Sequence, residues 1–535
     1  MRPLTKALSF LSSFIFLASF AYCGTITGTV KGPDGTPFEG AFLQAQNTKT
    51  RITVNVLSDK DGRYRVENLQ AGEYELRIRA MGYNAKPFSG VNLTSDQNTA
   101  LDFALQKGTV RWSDLSIYQG VKLFPESKGK EKQEFVSTCM GCHGFQGRMA
   151  AVHRDKAGWR DRVNYMRDLT HAFDFINFTE QKAVDITDYV NTLFGENPVL
   201  PRSPADIPEY KDIEQRYGDE AMKIVYVEYE LPGPSRMPWD ANPGPDGKIW
   251  IPEYGPANRI ARLDPKSGEV QEFQAPNHDP AFIHSAVEAP NGAVWFTEQS
   301  SNKIGRWDPK TQETTEYQDP YVTGKEGLLS GGSKHTLRID TRGIVWSSGT
   351  PFSSFDPKSG KFDHYPVAPN TYGVEIDRSD NVWFDGFTPD GKLFKVDAKT
   401  RKITGYQPPT AGLPRRIQAA PDGIIWFAEY AAGKIGRFDP KTETFKEYQL
   451  PGAQATPYAL GVDKNNKVWY SSDFMDYVGC LDPNTGKVTV YPFPWSENSM
   501  REFLPDLEGR MWFATPANNE VGYFYLAEPK ERASK

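Results

Sequence analysis

The stretch 422–448, "DGIIWFAEYAAGKIGRFDPKTETFKEY", decides the fold. An apolar run around Trp426, a turn at Gly433, a second run "KIGRF", a turn "DPKTET" and a closing "FKEY" read as short strands joined by tight turns. The phrase recurs along the carboxyl-terminal half of the chain, anchored on Trp250, Trp295, Trp346, Trp383, Trp426, Trp469 and Trp512. The last four anchors are 43 residues apart, the period of a four-stranded propeller blade. Seven anchors predict a seven-bladed β-propeller over residues 222–530. The seventh unit stops after "VGYFYLAEP", and the strand it lacks stands before the first unit, as "KIVYVEYELP" at 223–232. A ring closed in this way leaves no unpaired edge at the seam.

Carrying the start of the innermost strand through the seven units gives Trp239, His284, His335, Tyr372, Arg415, Tyr458 and Arg501. Equivalent strand positions lie at equal height, so these seven side chains are expected to ring one mouth of the central funnel. The phrases "WFTEQSSNKIGR" (295–306) and "WFAEYAAGKIGR" (426–437) resemble the virginiamycin B lyase (streptogramin lyase) family across this whole module. The resemblance implies a seven-bladed propeller that opens a cyclic depsipeptide lactone by elimination, with a magnesium ion, two histidines on strand starts and nearby glutamates. His284 and His335, in consecutive blades, match the histidines, and Glu298 is the remaining carboxylate, so these three are the catalytic candidates. The pattern departs where the family has a glutamate two residues before its second histidine, since Ser333 stands here, and "SSGTP" after Trp346 carries no carboxylate. Glu298 repeats as Glu253 and Glu429, which also fits a structural hydrogen bond between blades. His278 and His364 are expected in solvent.

Upstream, residues 137–144 read "STCMGCHG". Two thiols at this spacing can add to the two vinyl groups of one porphyrin, and the adjacent imidazole then reaches the iron, so Cys139 and Cys142 predict covalent attachment of a single haem c with His143 as axial ligand. Zinc would need two further ligands at matching spacing. Apolar periodicity predicts a helix approaching Cys139. A second carries Trp159, Val163 and Met166 on one face. A third, capped by Thr179 and ended by Gly195, docks through Val184, Ile186, Tyr189, Val190 and Leu193. Residues 108–200 resemble monohaem cytochrome c domains, small and all-α, and the resemblance implies Met166 as second axial ligand. Met149, His153 and His171 are the alternatives.

Residues 24–107 alternate in period two around turns at Pro33-Asp34-Gly35 and Ala71-Gly72. "GTVKGPDGTPFEGAFLQAQ" and "SDKDGRYRVENLQAGEYELRIRAMGY" resemble the carboxypeptidase regulatory-like domain, a prealbumin-like β-sandwich, which implies a binding or spacer module related to carbohydrate-binding folds. Asp59 and Asp61 belong to a hairpin turn. The run 201–221 continues "GENPVLPRSPADIPEY" and reads as a proline-rich, semi-rigid linker. Residues 1–23 carry Arg2 and Lys6 before an apolar core too short to span a bilayer, hence a secretory signal and a periplasmic or secreted protein. Cys23 is either the last residue removed or the lipid-bearing first residue of a lipoprotein; both readings stand.

The chain of 535 residues is thus expected to be multidomain and mainly β. A net charge of −6 argues against a nucleic-acid partner, and no second apolar run reaches spanning length. Cys480, in a strand-like run, reads as a buried apolar residue. The leading functional expectation is an exported c-type cytochrome that serves a redox partner protein, with the propeller docking or binding a small-molecule or carbohydrate ligand. The alternatives are a lyase acting in the funnel, with magnesium, and a propeller redox enzyme feeding electrons to the haem.

Overall fold

The computed structural model describes residues 24–140, 143–170, 177–275, 281–322, 332–452 and 454–527. The signal segment with Cys23, and Cys142, His171 and His278, lie outside the described residues.

Six four-stranded antiparallel meanders follow one another from Asn242–Pro243 to Val488–Pro492. The seventh blade is built from Leu504–Pro505, Met511–Thr515, Glu520–Leu526 and, as its fourth strand, Ile224–Glu230. The expected closure is therefore present. Two repeated devices explain the sequence signature. First, the glycine of "KIGR" lies opposite the aromatic residue that follows the anchor tryptophan, as in Phe296↔Gly305. A Cβ at Gly305 would meet the Phe296 ring at 2.1 Å, and one at Gly436 the Phe427 ring at 2.0 Å. Only glycine lets the ring lie flat on the neighbouring strand. Second, an aspartate six residues before the tryptophan accepts the indole N–H: Asp377 from Trp383 at 2.9 Å, Asp463 from Trp469 at 3.0 Å and Asp506 from Trp512 at 2.8 Å. The buried anchor thus keeps its one donor satisfied.

The amino-terminal module is a β-sandwich with Ile26, Val30, Leu43, Ala45, Val66 and Leu76 in its core. Asp59 Oδ1 accepts the backbone N–H groups of Asp61 and Arg63, a turn as expected. The sandwich is joined to the propeller. Strand Ile52–Leu57 pairs antiparallel with Ile224–Glu230, so one eight-stranded sheet runs from the seventh blade into the sandwich. Asn55 donates to Glu228 at 2.7 Å, and the indole of Trp495 donates to the same carboxylate. The edge that closure alone would leave open on the seventh blade is covered.

Between these two β modules lies a helical one, with α1 (Ile117–Leu123), α2 (Glu131–Cys139), α3 (Lys156–Thr170) and α4 (Glu180–Phe194). The Thr179 hydroxyl accepts the Lys182 N–H at the start of α4, and Gly195 caps its end. Phe135, Phe145, Trp159, Ile186, Val190 and Leu193 fill the core. Val184, expected in the docking stripe of α4, is instead exposed, and Ala183 and Thr187 take the buried face beside Ile186. The segment expected to act as a spacer is also bound down. The Trp112 indole donates to Pro201 O, Ser203 to Val110 O, and Gln119 to Ile213 O, so the prolines pack along the helical module in short 3-10 turns. Cys480 is buried in strand Tyr477–Leu481, as its sequence suggests.

Candidate functional site

In blades two to six the innermost strand loses register at two consecutive residues, between Ile283 and Ala286, Lys334 and Leu337, Thr371 and Val374, Pro414 and Ile417, and Pro457 and Leu460. A bulge re-aims side chains, so two neighbours on the strand depart from strict alternation. The first member of each pair is the residue expected at the funnel: His284, His335, Tyr372, Arg415 and Tyr458. In blades two, three, four and six a polar side chain two residues beyond the anchor tryptophan holds the bulge; Ala428 stands there in blade five. Thr297 accepts the Ser285 N–H, Ser348 the Thr336 N–H, Asp385 the Gly373 N–H and Ser471 the Ala459 N–H. The same hydroxyls donate onward to the next blade, Thr297 to His335 O, Ser348 to Tyr372 O and Ser471 to Met500 O.

The ring residues make one continuous patch. The imidazoles of His284 and His335 lie 3.6 Å apart between centroids, and His335 lies 4.1 Å from Tyr372. Tyr372 and Tyr458 share a hydroxyl–hydroxyl hydrogen bond. Arg501 donates to the Tyr458 hydroxyl at 2.9 Å, and the Arg415 guanidinium sits 3.7 Å over the Tyr458 ring. Trp239 stacks on Tyr254 at 4.0 Å. Burial keeps both imidazoles neutral, pushed well below the usual histidine range, with neighbouring arginines adding to the effect. Burial also pushes Tyr372 up. For Tyr458 it is outweighed by Arg415, Arg501 and Arg416, so that hydroxyl is more acidic than an ordinary phenol.

One residue further along the strands lies a second layer that the alternation rule hides: Asp240, Thr336, Arg416 and Glu502. Glu502 forms ion pairs with Arg338 and, at 3.8 Å, with Arg416. Arg416 also donates to Arg501 O and to the Thr336 hydroxyl. Burial and the adjacent Glu502 push the Asp240 carboxyl well above the usual range. Burial opposes ionisation of Glu502 as well, but Arg338 and Arg416 outweigh it and hold this carboxyl low. Two carboxyls thus share a pocket, one neutral and one ionised. The conspicuous signal in the sequence is a charged residue directly after the ring position in "WD", "RR" and "RE".

Above the ring, the helical module roofs the funnel. A cavity of about 740 Å³ is bounded below by Trp239, His284, His335, Tyr372, Arg415 and Arg501 and above by Cys139, His143, Met149, Trp159, Val163 and Met166. The two sets of sequence-predicted site residues therefore face one chamber, which nothing in the sequence foretold. Met166 and Met149 both reach it, whereas His153 is exposed. His143 Nδ1 is 2.7 Å from Gly144 O; a proton donated there leaves Nε2 as a lone-pair donor. The roof is fastened by Glu497 of the propeller, whose carboxylate accepts the N–H groups of Gly144 and Gly147, both at 3.2 Å. Tyr118 N–H to Phe474 O and Ser496 Oγ to Ser113 O add two further ties.

Other candidates are placed elsewhere. Tyr458 sits just beneath the chamber lining, held by Tyr372 and Arg501. Glu298 does not line the chamber, and its carboxylate accepts from Ser301. His364, expected in solvent, lies in strand Lys361–Tyr365 and is partly buried against Asp319 at 2.7 Å, where Asp319 also pairs with the fully buried Lys334. A lysine at zero exposure needs such a partner, which explains why the histidine is drawn in.

Comparison with known proteins agrees with the fold of the two β modules. Residues 212–327 and 358–528, more than half of the chain, match the model of the virginiamycin B lyase family, and residues 25–106 match the carboxypeptidase regulatory-like domain. A solved streptogramin B lyase is 25% identical, with a TM-score of 0.51 over 58% of this chain and 100% of its own. The virginiamycin B lyase from Staphylococcus aureus is 23% identical, with a TM-score of 0.50 over 57% of this chain and 99% of its own. No curated protein matches the chain.

Proposed function

This chain belongs to the virginiamycin B lyase family, and on that premise we propose that it is an exported electron-transfer protein that holds a single haem c over a small-molecule site in the propeller funnel. The observation that carries the reading is the meeting of Cys139 and His143 with a chamber suited to a porphyrin. Trp159, Val163, Phe178, Ile186 and Val190 give that chamber apolar walls, with the His143 imidazole and two thioethers at its border. Cys139 and Cys142 would hold the group covalently, with His143 and Met166 on the iron. Bound there, a haem supplies reversible one-electron transfer. The chain's own residues do the rest. Gly144 O orients the His143 ring, the apolar walls exclude water, and Glu497 ties the attachment loop to the propeller. The net charge gives no reason to expect a nucleic acid, and among the described residues no helix is long and apolar enough to cross a membrane. We place the protein in the periplasm or outside the cell, with a redox partner protein.

The test is export with its own signal in a host that matures c-type cytochromes. The purified protein will be red and cycle between oxidised and reduced c-type spectra; a colourless protein overturns the reading. Met166→Ala will remove the long-wavelength sulfur–iron band of the oxidised protein and let carbon monoxide bind. An unchanged spectrum moves the ligand to Met149 or a histidine.

A second reading, elimination chemistry in the funnel, draws on the paired imidazoles of adjacent blades. The residues present do not fit the family's magnesium ion. A hard dication wants oxygen ligands, and here two guanidiniums face the same floor while Glu497 is bonded to backbone N–H groups. The expected result is no magnesium-dependent opening of streptogramin B lactones. Efficient opening, lost in His284→Ala/His335→Ala with the haem spectrum intact, would make the protein a lyase.

A further inference from the structure

We infer that the floor of the chamber is a carboxylate-binding site formed by Arg415, Arg501, the indole of Trp239 and the imidazole of His284. The inference rests on the reading of the funnel as a small-molecule site beside a haem, and it specifies what that site accepts. The first observation is a set of donors with nothing to donate to. Arg415 Nε, Trp239 Nε1 and both ring nitrogens of His284 are buried and have no hydrogen-bond partner among the described residues. A buried donor left unmade is costly, so the Arg415 Nε–H, the Trp239 Nε1–H and the single N–H of the neutral His284 ring, all on residues lining one cavity, call for a shared acceptor.

The second observation is how the arginines are held. One layer deeper, Arg338 is matched by Glu502 and Glu375, and Arg416 by Glu502. At the floor, Arg415 makes no ion pair among the described residues; its guanidinium lies over the faces of Tyr458 and Tyr430, at 3.7 and 4.3 Å. Arg501 lies 4.6 Å over Trp239. Ring faces support a guanidinium without consuming its N–H groups; Arg501 gives one to the Tyr458 hydroxyl and Arg415 one to the Tyr372 hydroxyl, while the Arg415 Nε–H stays oriented for a planar acceptor. Asp473, whose Oδ1 has no partner among the described residues, acts on both guanidiniums, and Glu497, already bonded to two backbone N–H groups, acts on Arg501. The third observation is the wall above: Tyr254, Phe282, Met237, Met166 and Phe178 enclose an apolar volume over the cationic floor. An apolar body with one carboxylate fits both parts.

Two carboxylates share that description: a free organic acid, and a side-chain carboxylate of the porphyrin, because His143 and Arg501 border the same chamber. Calorimetry on the full-length holoprotein with benzoate, and with benzamide as neutral isostere, separates them, combined with the haem midpoint potential. Trp239→Phe keeps the stacked ring and removes only the N–H, so it tests the site without endangering the fold; Arg415→Met is the stronger variant. If a free acid is the occupant, benzoate binds saturably, benzamide binds at least about tenfold more weakly, and each variant weakens benzoate by about tenfold. If the porphyrin's carboxylate fills the site, benzoate does not bind, and Trp239→Phe, which removes no charge, shifts the midpoint potential. Equal binding of benzoate and benzamide, or no benzoate binding together with an unmoved potential, overturns the inference. A colourless chain that still prefers benzoate defeats the haem reading alone.

Discussion

Acidified acetone will leave the colour with the protein, and Cys142→Ala will abolish the normal c-type spectrum outright. The argument is covalent rather than energetic. Two thioethers at the "CMGC" spacing fix the porphyrin against the following imidazole, and loss of one thiol defeats the double attachment on which maturation depends. Cys139 ends α2 at the border of the chamber, so the chain enters the attachment run already aimed at the cavity. Cys480→Ala is the control: that thiol is buried in a propeller strand, its ionisation opposed by burial, and its loss will leave the spectrum unchanged. Haem that extracts freely from the unmutated protein would contradict the attachment.

The blades were legible because each one carries the same anchor. The anchor tryptophan recurs in every meander, the aromatic neighbour with a glycine opposite it in four of the seven, and the ring closure follows from counting strands. The funnel ring was legible for the same reason, as a register position carried through the repeats. Three features were not. The second layer at Asp240, Arg416 and Glu502 was hidden because period-two reasoning sends consecutive residues to opposite faces, and the recurrent bulge cancels that rule. The seam between sandwich and propeller left a trace in Glu228, the one charge inside the buried run "IVYVEY" at 224–229. That charge is odd for a buried strand until Asn55 and Trp495 are seen to bond it. The roof over the funnel depends on contacts between segments more than 300 residues apart, such as Gly144 with Glu497, and no local pattern encodes them.

The buried carboxyls beneath the ring make a contrast that separates charge from shape. Glu502→Gln will destabilise the propeller by about 3–5 kcal/mol, because removing one charge from a buried set leaves Arg416 without its ion-pair partner and Arg338 with Glu375 alone. Asp240→Asn, nearly the same chemical change, will cost less than about 1 kcal/mol near pH 4 and less still toward neutral pH, since burial and Glu502 favour the neutral acid and an amide imitates it. The sign with pH follows. A carboxyl with a raised folded pKa binds more protons in the native state, so its contribution is full below the unfolded value near 4 and is lost as pH rises toward the folded pKa. Asp240→Asn will therefore flatten the decline of stability above roughly pH 4 by up to about 1.4 kcal/mol per pH unit. Urea unfolding of both variants, followed by tryptophan fluorescence across that range, measures each effect, with m-values compared because a chain of several modules need not unfold in one step. Equal costs for the two substitutions would mean that Asp240 is ionised in the native protein.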